Sequence, residues 1–165
     1  MRPGDHPEFF RLPPPEGRSR ESTIVLSRDG RFFHDGALVE HEGLSEAWHT
    51  WLARHPDDGR YILENGWDWT YITVEDTPLF VRSVEHAGEE VWLCLAGGER
   101  APLDPTTLVE DADGSLIATV ERRGGRWDAR FTRHAQAELA PAVLERDGVA
   151  MVRAFGKVGA PRARQ

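Results

Sequence analysis

Hydrophobic and polar positions alternate in short runs along most of the chain. Ile24, Val25 and Leu26 read as a strand, followed by Asp29-Gly30, then Phe32-Phe33-His34, Asp35-Gly36 and Ala37-Leu38-Val39. Asp-Gly tolerates positive φ at both positions, so this stretch predicts a three-stranded meander. The pattern then changes period. Leu44, Ala47, Trp48, Trp51 and Leu52 fall on one helical stripe. Acidic residues at Glu40, Glu42 and Glu46 suit the helix start, and Pro56 closes it. Strands are then predicted over 60–63, 69–74, 79–85 and 90–95, with a Gly- and Pro-bearing loop over 97–107. Strands over 116–121 and 126–131 flank Arg122-Arg123-Gly124-Gly125 as a further hairpin. Thr132 is placed to cap a second helix running to about Arg146, kinked at Pro141 and ended by Asp147-Gly148. A last strand covers 149–154.

Helices and strands mix here without regular βαβ alternation. The expected class is therefore α+β, with mostly antiparallel sheet and two main helices. Strand, Gly turn, strand and helix recur over 23–55 and 116–146, which predicts duplication of one unit. The expected organisation is a Pro-rich extended arm (1–21), an N-terminal α+β unit (22–88), a C-terminal α+β unit (89–155) and a loose basic tail (156–165). The arm holds five prolines, three of them consecutive at Pro13, Pro14 and Pro15; Phe9, Phe10 and Leu12 are placed to pin it to the body.

Charge sharpens the functional reading. The chain has 165 residues and a net charge of −8. Residues 1–21 sum to zero and residues 151–165 to +4, which leaves −12 on the body between them. Such a body repels phosphate backbones, so no general DNA or RNA binding is expected. No apolar run reaches ~20 residues, so no membrane span is expected either. Cys94 is the single cysteine and no apolar leader opens the chain, which predicts a cytoplasmic protein.

Enzyme and cofactor signatures are not found. There is no phosphate-binding Gly-rich loop, no Gly-x-Ser-x-Gly elbow and no zinc-ligand spacing. Glu46-Ala47-Trp48-His49 has the spacing of a carboxylate-bridged metal pair but stands alone, so it reads as a solvated helix face. Cys94 reads as a packed thiol. No metal, cofactor or catalytic residue is expected.

Three stretches carry candidate binding chemistry. Trp67, Trp69 and Tyr71 share one face of a strand, as a core seam or as a flat surface for stacking a ring. Arg122, Arg123, Arg126, Arg130 and Arg133 cluster within an acidic body. Arg126, Asp128 and Arg130 share the solvent-facing side of their strand, either with Asp128 pairing an Arg or as a grip on an anion. Glu75 and Asp76, ahead of Pro78, form a charged turn or a polar ligand contact.

Two runs also resemble a known family. Asp29-Gly30-Arg31-Phe32-Phe33-His34-Asp35-Gly36 resembles a D-G-x-W-x-H-x-G pattern, and Thr73-Val74-Glu75-Asp76-Thr77-Pro78-Leu79-Phe80 a V-E-D-A-P-F pattern. Ala129-Arg130-Phe131 leading into the second helix is similar to the C-terminal step. Together they resemble the bacterial domain-of-unknown-function family 1285 over about residues 22–150. A Phe stands where the pattern has Trp, Thr77 replaces Ala, Leu79 is inserted, and Trp67–Trp69 lies outside the pattern. The resemblance implies a duplicated two-unit core, a C-terminal half like pleckstrin-homology domains, and a pocket between the units for a nucleotide-like signalling ligand. Asp29, Gly30, His34, Gly36, Glu75, Asp76 and Pro78 match its motif positions. The expected function is a non-catalytic ligand-binding or signalling module. Its ring stacks near Trp67, Trp69 or Tyr71, its anion sits on Arg126 or Arg130, and Glu75 and Asp76 take its hydroxyls. The alternative is a scaffold that binds a protein partner through the arm and tail.

Overall fold

The computed structural model describes residues 1–165, which form two compact units, Met1–Asp76 and Thr77–Gln165. The class is α+β with mostly antiparallel sheet, as expected from the sequence. No helix is long and apolar enough to cross a membrane.

The first unit contains β1 (Val25–Leu26), β2 (Phe32–His34), β3 (Ala37–Leu38), α1 (Glu42–Trp51), β4 (Leu52–Arg54), β5 (Tyr61–Glu64), β6 (Trp69–Tyr71) and β7 (Thr73–Val74). The predicted meander is present, and β7 adds to β1 in parallel, giving the order β3-β2-β1-β7. A second sheet runs β4-β5-β6. Helix α1 is capped by His41, whose Nδ1 accepts the Leu44 amide at 3.0 Å. It ends sooner than the stripe predicts, because Leu52 pairs with Leu63 as the first residue of β4. The buried helix face is also turned from the predicted one. Leu44 is exposed, whereas Trp48 and His49 pack on the fully buried Phe32, with ring centroids 5.4 and 4.7 Å away. His49 is therefore a core residue and not part of a solvated helix face.

The N-terminal arm is ordered rather than extended. It makes 3-10 turns over Pro3–Asp5 and Phe9–Arg11. Phe9 is buried with Ala53, Ile62 and Trp69, and Phe10 and Tyr71 pack against this cluster; Leu12 is exposed. The backbone at the two Phe residues is satisfied as well. Trp69 Nε1 donates to the Phe9 carbonyl at 3.3 Å. His55 Nδ1 accepts the Asp57 amide, so its Nε2–H faces the Phe10 carbonyl at 3.0 Å. Arg11 grips Asp57 with two nitrogens, and Arg60 grips Glu21 likewise.

Acid is expected to loosen this arm. Hydrogen bonds hold three carboxyls below the usual carboxylate range: Asp57 by Arg11, Glu21 by Arg60 and Asp58 by the Tyr71 hydroxyl. A depressed folded-state value stabilises above the unfolded value of about 4 and stops doing so as pH falls through the folded value. Each pair is exposed and contributes little. The Gly4 and Tyr71 amides bond the Gly66 and Arg20 carbonyls, so they report on the arm. Their hydrogen-exchange protection, corrected for intrinsic rate, should fall between about pH 5 and pH 3. Protection unchanged at pH 3 would show that the carboxylates do not hold the arm.

The second unit contains β8 (Leu79–Ala87), β9 (Glu90–Leu95), β10 (Arg100–Pro102), β11 (Val109–Glu110), β12 (Leu116–Arg122), β13 (Gly125–Phe131), α2 (Arg133–Ala137), β14 (Val143–Arg146), β15 (Val149–Ala154), β16 (Lys157–Gly159) and β17 (Arg162–Ala163). Seven of these strands form one sheet, β10-β9-β8-β13-β12-β11-β17, in which β8–β13 and β11–β17 are parallel. One face buries Val84, Val91, Leu93, Val120, Trp127 and Ala129. The sheet curls enough to bring β10 up to β12. Strands β14, β15 and β16 form a separate antiparallel sheet.

Three expectations need correction here. The second helix does not run to Arg146. Thr132 caps it as predicted, its hydroxyl accepting the Ala135 amide at 3.1 Å, but only Arg133–Ala137 is α-helical. A 3-10 turn over Ala140–Ala142 takes in Pro141, and the chain then becomes β14. Asp147-Gly148, with φ of 53° and 79°, is thus a hairpin turn instead of a helix stop. The stretch 97–107 is not all loop, since it carries β10 and a 3-10 turn over Pro105–Thr107. The stretch 156–165 is not loose: β16 pairs with β15 through the Phe155-Gly156 turn, and β17 pairs with β11.

Candidate functional site

The acidic and Asp-Gly motif residues meet in the first unit. Gly30 has φ of 87° in the turn from β1 to β2, and its amide bonds the Ser27 carbonyl at 3.0 Å. Asp29 receives the Ser27 hydroxyl and Arg31 Nε, and the Ser27 hydroxyl in particular lowers its pKa. Glu75 Oε2 accepts the Arg28 amide at 3.0 Å, and Asp76 lies 3.5 Å from the Arg28 guanidinium. These carboxylates therefore pin the β1–β2 turn against the end of β7. Gly36 has φ of 78° in the next turn, His34 is exposed beside Asp35, and Pro78 is buried.

The aromatic stripe divides. Trp69 is buried beneath Phe9, and Arg20 lies 4.5 Å from its ring centroid. Tyr71 is half-buried, with Arg60 3.7 Å over its ring and its hydroxyl on Asp58 at 2.7 Å. Trp67 precedes β6 and is 64% exposed. The chain's own arm thus occupies the stripe at Trp69.

The Arg cluster divides too. Arg122 is buried against Trp127 and paired with Glu99 at 3.1 Å. Arg130 is 5% exposed, because Asp111 binds it at 2.8 Å and also takes Arg164 at 3.2 Å. It was expected on a solvated face; the pairing with Asp111, which also holds Arg164 just after β17, is a long-range contact that the sequence did not indicate. Asp128 accepts the Thr119 hydroxyl at 3.1 Å rather than an Arg. Arg126 alone fits its expected setting. It is exposed on the outer face of β13, opposite Glu121 of β12.

Arg126 also lines a cavity of about 440 Å³ lying wholly within the second unit. Strand alternation explains how it forms. Val91 and Leu93 point into the core, so Trp92 between them points out, opposite Pro102 on β10. On β12, Val120 points in while Thr119 and Glu121 point out. Trp92 and Pro102 form one side of the cavity; Thr119, Glu121 and Arg126 form the other. Leu103 and Val120 also border it, Phe155 arrives from the turn between β15 and β16, and Lys157 from the start of β16. The Phe155 ring stands edge-on to Trp92, with centroids 5.5 Å apart.

Two details suggest that this geometry is held deliberately. Phe155 has φ of 51°, where a bulky side chain costs roughly 1–3 kcal/mol. Asp104 accepts the Thr106 hydroxyl at 2.6 Å and its amide at 3.0 Å, with Lys157 Nζ at 3.4 Å. The Thr106 hydroxyl in particular holds the Asp104 carboxyl below the usual range, so it is ionised at neutral pH.

Sequence reasoning missed Trp92, Phe155, Lys157 and Asp104. One signal was legible for Phe155: it stands before Gly156 at a position that Asp fills in two of the chain's other three turns of this kind.

No family model matches the chain, and no curated protein matches it. Solved structures do. The chain is similar to the crystal structure of a DUF1285 family protein from Silicibacter pomeroyi DSS-3. The TM-score is 0.69 at 20% identity, covering 93% of this chain and 92% of that one. It has the DUF1285 fold. A DUF1285 family protein from Shewanella baltica OS155 gives a TM-score of 0.55 at 17% identity, covering 74% of this chain and 94% of the other. In this DUF1285 fold, the Asp-Gly and Val-Glu-Asp runs that suggested the resemblance lie around the β1–β2 turn and the end of β7.

Proposed function

We propose that the protein is a cytoplasmic, non-catalytic small-molecule-binding module of the signalling type. Its ligand has a flat ring and an anionic group, as a nucleotide-like molecule does, and occupies the cavity of the second unit. The observation that carries this reading is Arg126. Its guanidinium lines the cavity beside Trp92 and Phe155 and takes part in no ion pair or hydrogen bond within the chain. An exposed Arg free to bind a carboxylate or phosphate, set next to two edge-packed rings, suits a ring bearing an anion. The volume lies in the range of small-ligand sites. Arg130, the other expected anion contact, is engaged by Asp111, which favours Arg126; Glu75, Asp76, Trp69 and Tyr71 are engaged within the first unit. A lone cysteine outside any disulfide supports the cytoplasmic setting.

Thermal-shift measurements against nucleoside monophosphates and aromatic acids test the reading. A ligand at 100 times its Kd should raise Tm by roughly 5–10 °C. Arg126→Ala should erase the shift and leave the ligand-free Tm within about 2 °C, because the side chain is exposed and unpaired. A panel without any shift, or a shift that persists in Arg126→Ala, refutes it.

A further inference from the structure

We infer that the ligand of the second-unit cavity is an aromatic zwitterion of the aromatic α-amino-acid class. This rests on the cavity being the ligand site. It goes further by assigning each charge of the ligand to a residue: the carboxylate to Arg126, the ammonium to Glu121 and the ring to Trp92 and Phe155.

Charge balance around the cavity is the first argument. Two cations and two carboxylates line it: Arg126 and Lys157 against Asp104 and Glu121. Lys157 and Asp104 lie 3.4 Å apart and offset one another. That leaves one guanidinium and one carboxylate. A nucleoside di- or triphosphate would bring several negative charges to a single free Arg, with Glu121 and Asp104 repelling them. A zwitterion meets no such imbalance.

Placement is the second argument. Glu121 and Arg126 are directly opposed across β12 and β13, which sets their Cβ atoms about 5 Å apart on one face. Opposite charges so placed ordinarily pair. Here both side chains are exposed, and neither makes an ion pair or hydrogen bond with the other or with the rest of the chain. An α-amino acid carries its ammonium and carboxylate on one carbon, so a single ligand atom between the two residues serves both. The guanidinium fork can take both carboxylate oxygens, while the ammonium donates to Glu121.

The ring is the third argument. Phe155 is held in a costly backbone conformation edge-on to Trp92, and Arg100 stacks 4.8 Å from the Trp92 ring centroid, which fixes the indole. Rigid aromatic walls of this kind select a flat ring over an aliphatic side chain.

Isothermal titration of the full chain separates the contributions. The probes are L-tryptophan, tryptamine (no carboxylate), indole-3-acetate (no ammonium) and adenosine 5′-monophosphate. L-tryptophan should bind, with tryptamine and indole-3-acetate each weaker by about tenfold or more. Glu121→Gln should weaken L-tryptophan by about tenfold and leave indole-3-acetate within twofold. Arg126→Ala should weaken both. Far-ultraviolet circular dichroism confirms that each variant is folded. If adenosine 5′-monophosphate binds in an Arg126-dependent way and L-tryptophan does not, the zwitterion is overturned and the cavity reading stands. Binding of L-tryptophan that is indifferent to Glu121→Gln also overturns it. If no probe binds in an Arg126-dependent way, both readings fall.

Discussion

Gly159→Ala is expected to destabilise the second unit by about 3 kcal/mol or more, at the upper end of what overpacking costs. A Cβ at this position would stand 2.1 Å from the Pro105 carbonyl oxygen, 2.5 Å from its carbon and 2.9 Å from the Thr106 nitrogen. All three are backbone atoms, so no side chain can swing aside. Pro105 is itself buried, and Asp104 holds the turn that follows it. The obstruction is steric rather than conformational, since Gly159 does not have positive φ. To admit a methyl group, β16 must lift off the Pro105–Thr107 turn and carry Lys157 and the neighbouring Phe155 out of the cavity. For a chain of this length the expected loss in Tm is roughly 6–12 °C, accompanied by loss of ligand binding. Gly148→Ala is the matched control. Its Cβ would meet nothing within 4 Å, so only its φ of 79° opposes the change, at about 1–2 kcal/mol. If the two variants melt together, β16 is not seated as described.

Phe9→Ala should have the second large effect, centred on the arm. Removing a buried Phe side chain costs roughly 3–5 kcal/mol, and Phe9 is 3% exposed. Its ring fills the space between Ala53, Ile62 and Trp69, and its carbonyl receives the Trp69 indole N–H. Losing it leaves the arm with Phe10, Arg20 over a Trp69 ring that has lost its partner, and exposed ion pairs, which are weak anchors. The expected result is fast tryptic cleavage after Arg11, Arg18 and Arg20, together with loss of exchange protection at the Gly4 and Tyr71 amides. Leu12→Ala, at an exposed site, should change stability by less than about 0.5 kcal/mol. Equal protease resistance of wild type and Phe9→Ala would show that the arm is held by other means.

The legibility of the chain follows the range of the forces involved. Asp35-Gly36, the stripe around Trp48 and the alternation over 90–95 are local signals, and each produced its element at or near the expected position. The same local signal misled at Asp147-Gly148. An Asp-Gly pair ends a helix as readily as it turns a hairpin, and only the pairing of β14 with β15 decides between them. Among the candidate site residues, Arg126 was placed correctly because exposure on an outer strand face follows from alternation alone. Arg130, four residues on and pointing the same way, was misjudged because its partner Asp111 lies 19 positions away in sequence and is itself shared with Arg164.

By itself, then, the sequence determined the α+β class, most strands, the position of the first helix and the Thr132 cap of the second. These depend on period, capping and turn chemistry, all carried by residues close together in the chain. Only the tertiary structure decided that the Pro-rich arm folds into 3-10 turns with Phe9 rather than Leu12 buried, that the basic tail supplies strands, and that Arg126 meets Trp92, Phe155 and Lys157. Those residues lie up to 65 positions apart, from Trp92 to Lys157. Their meeting depends on how the sheet curls and on where Gly159 lets two backbones approach, and neither leaves a local periodic signal to read.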